Sequence, residues 1–256
     1  MANSLAVVDG RFSALSEALI PVDDPAVTLG WSVFETLLVE DGGIPCIAAH
    51  LTRLRSSASA AMVPFPDDDL LAREMEALAS AGPSSGRMRV TLTGAGRRIL
   101  TVEPLDPSRR HGPVRAVRRE HRPEPFLGGA VKHGSRAPWV VAVRRSGADE
   151  VLFVDQGVFT EGTTSAILAV IDGVLWSHPD DGGVLASTTR QSLLQRAAAL
   201  GIPVRHEGPP AAGPWDALYI ASATRDLAPV VELDGVALPG WDPIGRRLAD
   251  VGSGFS

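Results

Sequence analysis

The apolar pattern of this chain changes period repeatedly along its length, and that restricts the fold to a mixture of strands and helices. Residues 2–20 alternate at strand period, with VDGRF as a turn. WSVFETLLVEDGGIPCIAA reads as strand, DGG turn and second strand. HLTRLRSSASAAM takes helical spacing, with Leu51, Leu54 and Ala58 on one face. DDDLLAREMEALASAG reads as a second helix, opened by aspartates and closed at Gly82. RMRVTLTGAGRRILTVEPL predicts a hairpin around GAGRR, and RPEPFLGGA, rich in Pro and Gly, predicts a linker. Beyond it, VKHGSRAPWVVAVRRSGA predicts a helix, and EVLFVDQGVFTEG and SAILAVIDGVLWSHP predict hairpins. TTRQSLLQRAAALG predicts a helix ending at Gly201, IPVRHEG and DALYIASATRDLAPVVELDG further strands, and GWDPIGRRLADVG a short closing helix. No strict βαβ rhythm appears, so the expected class is α+β in two domains, 1–120 and 131–256, joined by the linker 121–130. No internal repeat or low-complexity tract interrupts this pattern.

The 256 residues suffice for one large or two small domains, and the net charge of −6 argues against a nucleic-acid or anionic-membrane partner. It leaves room for a local basic pocket that takes a small anion. MANSLAVVDGRF lacks the pattern of a signal peptide and no apolar run reaches membrane-spanning length, so a cytoplasmic protein is expected. Cys46 is the single cysteine, which excludes an internal disulfide and fits a reducing compartment. Its place in the apolar run IPCIAA predicts a buried, unreactive thiol.

Lysine and arginine total 24, and Lys132 is the only lysine among them. Arginine serves wherever only a positive charge is wanted. It cannot serve where a primary amine must lose its proton and form an imine with a carbonyl. Lys132 is therefore a candidate for amine chemistry such as a Schiff base with pyridoxal phosphate. Composition alone leaves that reading level with chance survival of one lysine.

Four collinear stretches sharpen it: GWSVFETLLVEDGGIPCIAAHLTRL, AVKHGSR, ADEVLFVDQGVFTEGTTSAILAV and GVLASTTRQSLLQRAAALGIPV, with IASATRDLAPVVELDG as a weaker fifth. In order and spacing they resemble the class IV pyridoxal-phosphate enzymes, which include branched-chain and D-amino-acid aminotransferases and aminodeoxychorismate lyase. The resemblance covers most of the chain. It implies the two-domain fold type IV of D-amino-acid aminotransferase, with a small N-terminal domain, a larger cofactor-binding C-terminal domain and a homodimeric assembly.

It also implies roles. Lys132 falls at the Schiff-base lysine and acts as general base once released. Glu161, in FTEGTTSAI, matches the carboxylate that keeps the cofactor's ring nitrogen protonated, so that the ring withdraws electrons. Ser165 counts with the cofactor-binding set, although Ala166 follows it where the family often has asparagine. Thr188 and Thr189, in ASTTRQSLL, match the phosphate-binding helix start, where hydroxyls and backbone N–H groups converge; an ordinary helix cap reads the same way. Arg53 in HLTRL matches the family's phosphate arginine. Ala223 occupies the usual threonine register of the fifth stretch, and Thr224 beside it is carried as the substitute.

For the reaction, Lys132-His133-Gly134-Ser135-Arg136 resembles the Lys-His-x-Asn-Arg pattern of aminodeoxychorismate lyases, with Ser135 in place of asparagine. Aminotransferases of the family commonly carry Asn-Tyr after the lysine. Arg136 is expected at the ring oxygen or at a substrate carboxylate. Gly94 replaces the arginine expected in the Thr/Ser-Arg-Gly form, leaving Arg97 or Arg98 to compensate. The leading expectation is 4-amino-4-deoxychorismate lyase, in folate or secondary metabolism. An amino-acid aminotransferase, branched-chain or D-specific, is the alternative. A non-catalytic homologue that binds a ligand is the third reading, motivated by Ala166, Gly94 and Ala223.

Overall fold

The structure, a computed structural model, describes residues 4–122 and 126–250. The chain forms two compact units, the first comprising the residues through Pro107 together with Val131–Arg136, the second Ser108–Ala130 and everything from Ala137 onward. This division falls at residue 107, whereas 1–120 and 131–256 with a linker at 121–130 were expected, and it groups the lysine segment with the first unit. Of the expected linker, 123–125 lie outside the described residues.

In the first unit the elements are β1 (Leu5–Val8), β2 (Arg11–Ala14), α1 (Pro25–Thr28), β3 (Ser32–Glu40), α2 (Ile47–Ala60), α3 (Asp68–Ala81), β4 (Ser85–Thr93) and β5 (Arg98–Pro104). The strands make one antiparallel sheet in the order β2-β1-β5-β4-β3. On β3, Val33, Leu37 and Val39 are fully buried at period two, which sends Phe34 to the opposite face. Buried residues of α2 and α3, Leu54 and Ala58 from one and Leu71, Met75 and Leu78 from the other, complete this core. Asp67 caps α3 through its side chain, accepting from Leu70 N–H at 2.9 Å.

The expected second strand at IPCIAA is absent. Glu40 and Gly43 close a tight turn, and α2 begins at Ile47 from Cys46, whose backbone is left-handed at φ 57°. The apolar run was short enough to suit either element, and the helical spacing that follows it decides. Cys46 is exposed at this helix start, not buried.

In the second unit the elements are β6 (Val114–Glu120), α4 (Ala137–Ser146), β7 (Glu150–Asp155), β8 (Val158–Gly162), β9 (Ala166–Ile171), β10 (Val174–Ser177), α5 (Thr188–Ala199), β11 (Val204–Arg205), β12 (Ala217–Ser222), β13 (Asp226–Leu233), β14 (Val236–Ala237) and α6 (Pro243–Asp250). The order β9-β12-β13-β6-β7-β8 closes on itself where Glu161 of β8 pairs with Ala166 of β9, giving a barrel. Its strands are two-faced. Ile167, Ala169, Leu218, Ile220 and Ala228 point into the barrel, while Leu168, Val170, Ala217 and Tyr219 point out. The outward set packs with Leu193 and Ala197 of α5 and Leu248 of α6. β6 was not anticipated, yet it is central, pairing in parallel with both β13 and β7. That pairing explains why the chain divides before β6 and not after it.

The helix expected from residue 131 begins only at Ala137, with Pro138 in its first turn. Residues 131–136 run instead beside β3, where Val33 and His133 form an antiparallel bridge.

Candidate active site

In the first unit, Lys132 is held through its backbone. Phe34 N–H donates to the Lys132 carbonyl at 2.9 Å, Gly134 N–H to the Ser32 carbonyl at 2.7 Å, and Lys132 N–H to Ser57 Oγ on α2 at 3.1 Å. Gly134 packs closely here: a Cβ on it would lie 2.0 Å from Ser32 Oγ and 3.3 Å from Ser32 Cβ, so the Ser32 hydroxyl would have to turn away. Ser135, where the family pattern has asparagine, donates to the Gly30 carbonyl at 3.1 Å and anchors the far end of the segment.

Helix α2 presents His50, Arg53 and Ser57 on one face, at helical spacing. Arg53 grips Glu35 of β3 with two parallel bonds, Nε to Oε1 and Nη2 to Oε2, both 2.7 Å. His50 Nδ1 lies 2.9 Å from Glu35 Oε2. Glu35 is 1% exposed. Burial pushes its carboxyl up, but the Arg53 and His50 hydrogen bonds and the charges of Arg53 and Lys132 outweigh burial and bring it down to about 2.

On the opposite face of β3, cations gather around Phe34. The Lys132 Nζ lies 4.9 Å from the ring centroid, the Arg89 guanidinium 3.7 Å and the Arg136 guanidinium 6.0 Å. Burial, then the charges of Arg136 and Arg87, lower Arg89 to about 10. Arg89 makes one side-chain hydrogen bond, to Thr91 Oγ1 at 3.2 Å, and among the described residues no carboxylate pairs with it. The arginines expected to compensate for Gly94 are engaged elsewhere. Arg97 pairs with Asp9 and Asp24, and Arg98 forks onto Glu74 at 2.8 and 2.9 Å. Gly94 itself lies under the indole of Trp31, which a Cβ would meet at 2.5 Å.

In the second unit, Glu161 sits in β8 and accepts from Leu185 N–H at 3.4 Å, two residues before Ser187, the cap of α5. Glu161 is thereby tied to the segment that leads into Thr188 and Thr189, the first residues of that helix. Ser187 accepts from Arg190 N–H at 3.2 Å, so the cap and the two threonines share one helix start. Ser165 donates to Glu150 Oε2 at 3.1 Å, its hydroxyl turned onto this buried carboxylate. Thr163 and Thr164 donate to the same group, Thr164 at 2.8 Å. Thr224 lies in the turn between β12 and β13.

In the first unit Lys132 and Arg136 gather at Phe34 while Arg53 pairs with Glu35 on the other face of β3; in the second, Glu161 is tied to the segment leading into Thr188 and Thr189, Ser165 turns onto Glu150, and Thr224 lies on a separate turn. Glu35, Ser57, Arg89 and Glu150 were not anticipated. Glu35, Ser57 and Glu150 had a sequence signal, a polar residue at an inward register of an otherwise apolar strand or helix face, whereas Arg89 lies on the polar face of β4 with Arg87 and Thr91 and had none. The donor set suits pyridoxal phosphate. It contains one primary amine, a carboxylate, and a helix start whose first-turn amides have no intrahelical carbonyl to pair with.

Comparisons with known proteins agree. Residues 32–233 match the amino-transferase class IV family. A Mycobacterium tuberculosis protein named bifunctional aminodeoxychorismate lyase / D-amino acid transaminase is 28% identical, over 95% of this chain and 96% of its own length. A D-alanine aminotransferase of Listeria monocytogenes is 24% identical, over 90% of this chain and 88% of its own. Among solved structures, a hypothetical aminotransferase from Mycobacterium tuberculosis in its PLP-bound form superposes with a TM-score of 0.88 at 29% identity, covering 97% of each chain. A fold IV transaminase from Curtobacterium pusillum also gives 0.88, at 25% identity and 98% coverage of both. With residues 32–233 matched to the family model, the chain belongs to the class IV aminotransferase family of pyridoxal-phosphate-dependent enzymes.

Proposed function

We propose that this enzyme is a 4-amino-4-deoxychorismate lyase, releasing pyruvate and 4-aminobenzoate. The observation that carries the reading is the gathering of Arg89 and Arg136 with Lys132 around Phe34. The substrate has two carboxylates and one amine. A guanidinium held below its ordinary pKa by burial and by a second guanidinium is relieved when an anion binds, so this cluster favours a dicarboxylate. The name of the Mycobacterium tuberculosis relative supports the same substrate.

When bound, the cofactor supplies an electron sink for the pair left on the substrate carbon that loses its proton. The Lys132 amine would take that proton as general base. Cleavage of the carbon–oxygen bond then releases the enolpyruvyl group, which leaves with a proton as pyruvate, and the ring becomes aromatic. Arg53 and the start of α5 would hold the phosphate, and Glu161 the ring nitrogen. The only tyrosine, Tyr219, donates to Asp242 Oδ1 at 2.6 Å on the outer face of the barrel. It does not supply the tyrosine that commonly follows the lysine in aminotransferases, and this favours the lyase.

D-amino-acid transamination is the second reading, favoured by the other half of the same relative's name. The reading expects a homodimer in the cytoplasm, feeding folate synthesis or a secondary metabolite. The test gives cofactor-loaded protein 4-amino-4-deoxychorismate and follows pyruvate and 4-aminobenzoate, with D-amino acids plus 2-oxoglutarate in parallel. Stoichiometric pyruvate and aromatic product support the lyase. Keto-acid exchange without them moves the assignment to the transaminases.

A further inference from the structure

We infer that Ser57 is a positioning residue for Lys132, fixing the direction in which its side chain leaves the backbone. The inference rests on Lys132 being the reactive amine. The Lys132 carbonyl is held from β3, by Phe34 N–H at 2.9 Å, while its own N–H is held from α2, by Ser57 Oγ at 3.1 Å. Bonds from two different elements fix the peptide planes on either side of its Cα. Ser57 is 1% exposed, so water does not readily replace its hydroxyl. Ser57 also follows Arg53 by one helical turn. One rigid helix therefore carries both the clamp on Lys132 and the arginine that Glu35 orients. Removing the Ser57 hydroxyl loosens the lysine and leaves Arg53 in its fork on Glu35.

The test uses Ser57→Ala, which deletes the acceptor at little cost in volume, and Ser57→Cys, which keeps the bulk but accepts weakly. Deuterium exchange of the Lys132 amide is measured on cofactor-free protein. Pyridoxal phosphate is then added, and the pH midpoint of its visible band and the kcat and KM for substrate are recorded. In Ser57→Ala the Lys132 amide is expected to exchange about tenfold faster or more, with the rest of the first unit unchanged. The visible band's midpoint moves and kcat falls while KM stays. Ser57→Cys lies between. Unchanged exchange at Lys132 overturns the inference. So does a rise spread evenly over the first unit with an unmoved midpoint, which marks a purely structural hydroxyl. A parent protein that takes up no pyridoxal phosphate defeats the functional reading, and the cofactor-free exchange still decides the clamp.

Discussion

Replacing Glu35 with glutamine removes the charge that Arg53 and His50 share inside the first unit. Their side chains are 10% and 4% exposed, so solvent compensates poorly for either. Removing one member of a buried ion pair costs about 3–5 kcal/mol. Linkage gives a second estimate. A carboxyl lowered from 4.5 to about 2 contributes about 3 kcal/mol when ionised. The folded-state value is depressed, so this stability is complete above the unfolded value of 4.5 and is lost as pH falls toward 2. Urea unfolding followed by circular dichroism, at neutral pH and then stepwise into acid, measures both effects. Glu35→Gln is expected to lose about 3 kcal/mol at neutral pH, with the difference from the parent closing as the parent is acidified. A loss under about 1 kcal/mol, in the range of an exposed pair, refutes the reasoning. So does a parent and variant that fall in parallel with acid.

Other substitutions separate roles that look alike in the sequence. Arg89→Gln should raise KM for a dicarboxylate substrate by about tenfold, the worth of one charge-assisted hydrogen bond, whereas Arg98→Gln should leave KM in place and lower stability, because Arg98 serves Glu74. Gly134→Ala should weaken the visible band of added pyridoxal phosphate, since its Cβ would lie 2.0 Å from Ser32 Oγ and 3.3 Å from Ser32 Cβ and crowd the lysine segment against β3. Glu150→Ala should leave the hydroxyls of Thr163, Thr164 and Ser165 without their acceptor. At about 2–4 °C per kcal/mol for a chain of this size, thermal unfolding should show a fall of several degrees.

Much of this architecture is legible in the chain because it follows local rules. The hairpins of β4 with β5, β7 with β8 and β9 with β10 announce themselves by alternation and by turn residues. α3 announces itself by its aspartates and Gly82, and α5 by its Ser-Thr-Thr start. Long-range pairing is what the sequence conceals. IPCIAA is as apolar as a strand, and only α2 continuing beyond it makes it a helix start that exposes Cys46. Lys132 reads as part of a helix until Gly134 is seen fitting against Ser32 at the edge of β3. β6 carries Arg115, Arg118 and Arg119 among its few apolar residues, so its central place between β7 and β13 rests on partners far away in sequence. The site divides in the same way. Lys132, Arg53, Glu161, Thr188 and Thr189 have recognisable neighbours. Glu35, Ser57, Arg89 and Glu150 acquire their roles through partners distant in sequence: Arg53 and His50, the Lys132 amide, Phe34 and Arg136, and the hydroxyls of residues 163–165. Gly94, read as a missing arginine, becomes intelligible once the Trp31 indole is found lying on it.

The most direct measurement concerns the lysine itself. Protein loaded with pyridoxal phosphate is reduced with borohydride, which makes any amine-linked cofactor permanent, and is then digested and mapped by mass spectrometry. The cofactor's added mass is expected on Lys132 alone and is expected to vanish, with the visible band, in Lys132→Ala. A label on the terminal amine, or a Lys132→Ala protein that keeps both band and turnover, would contradict the assignment of Lys132 as the reactive amine.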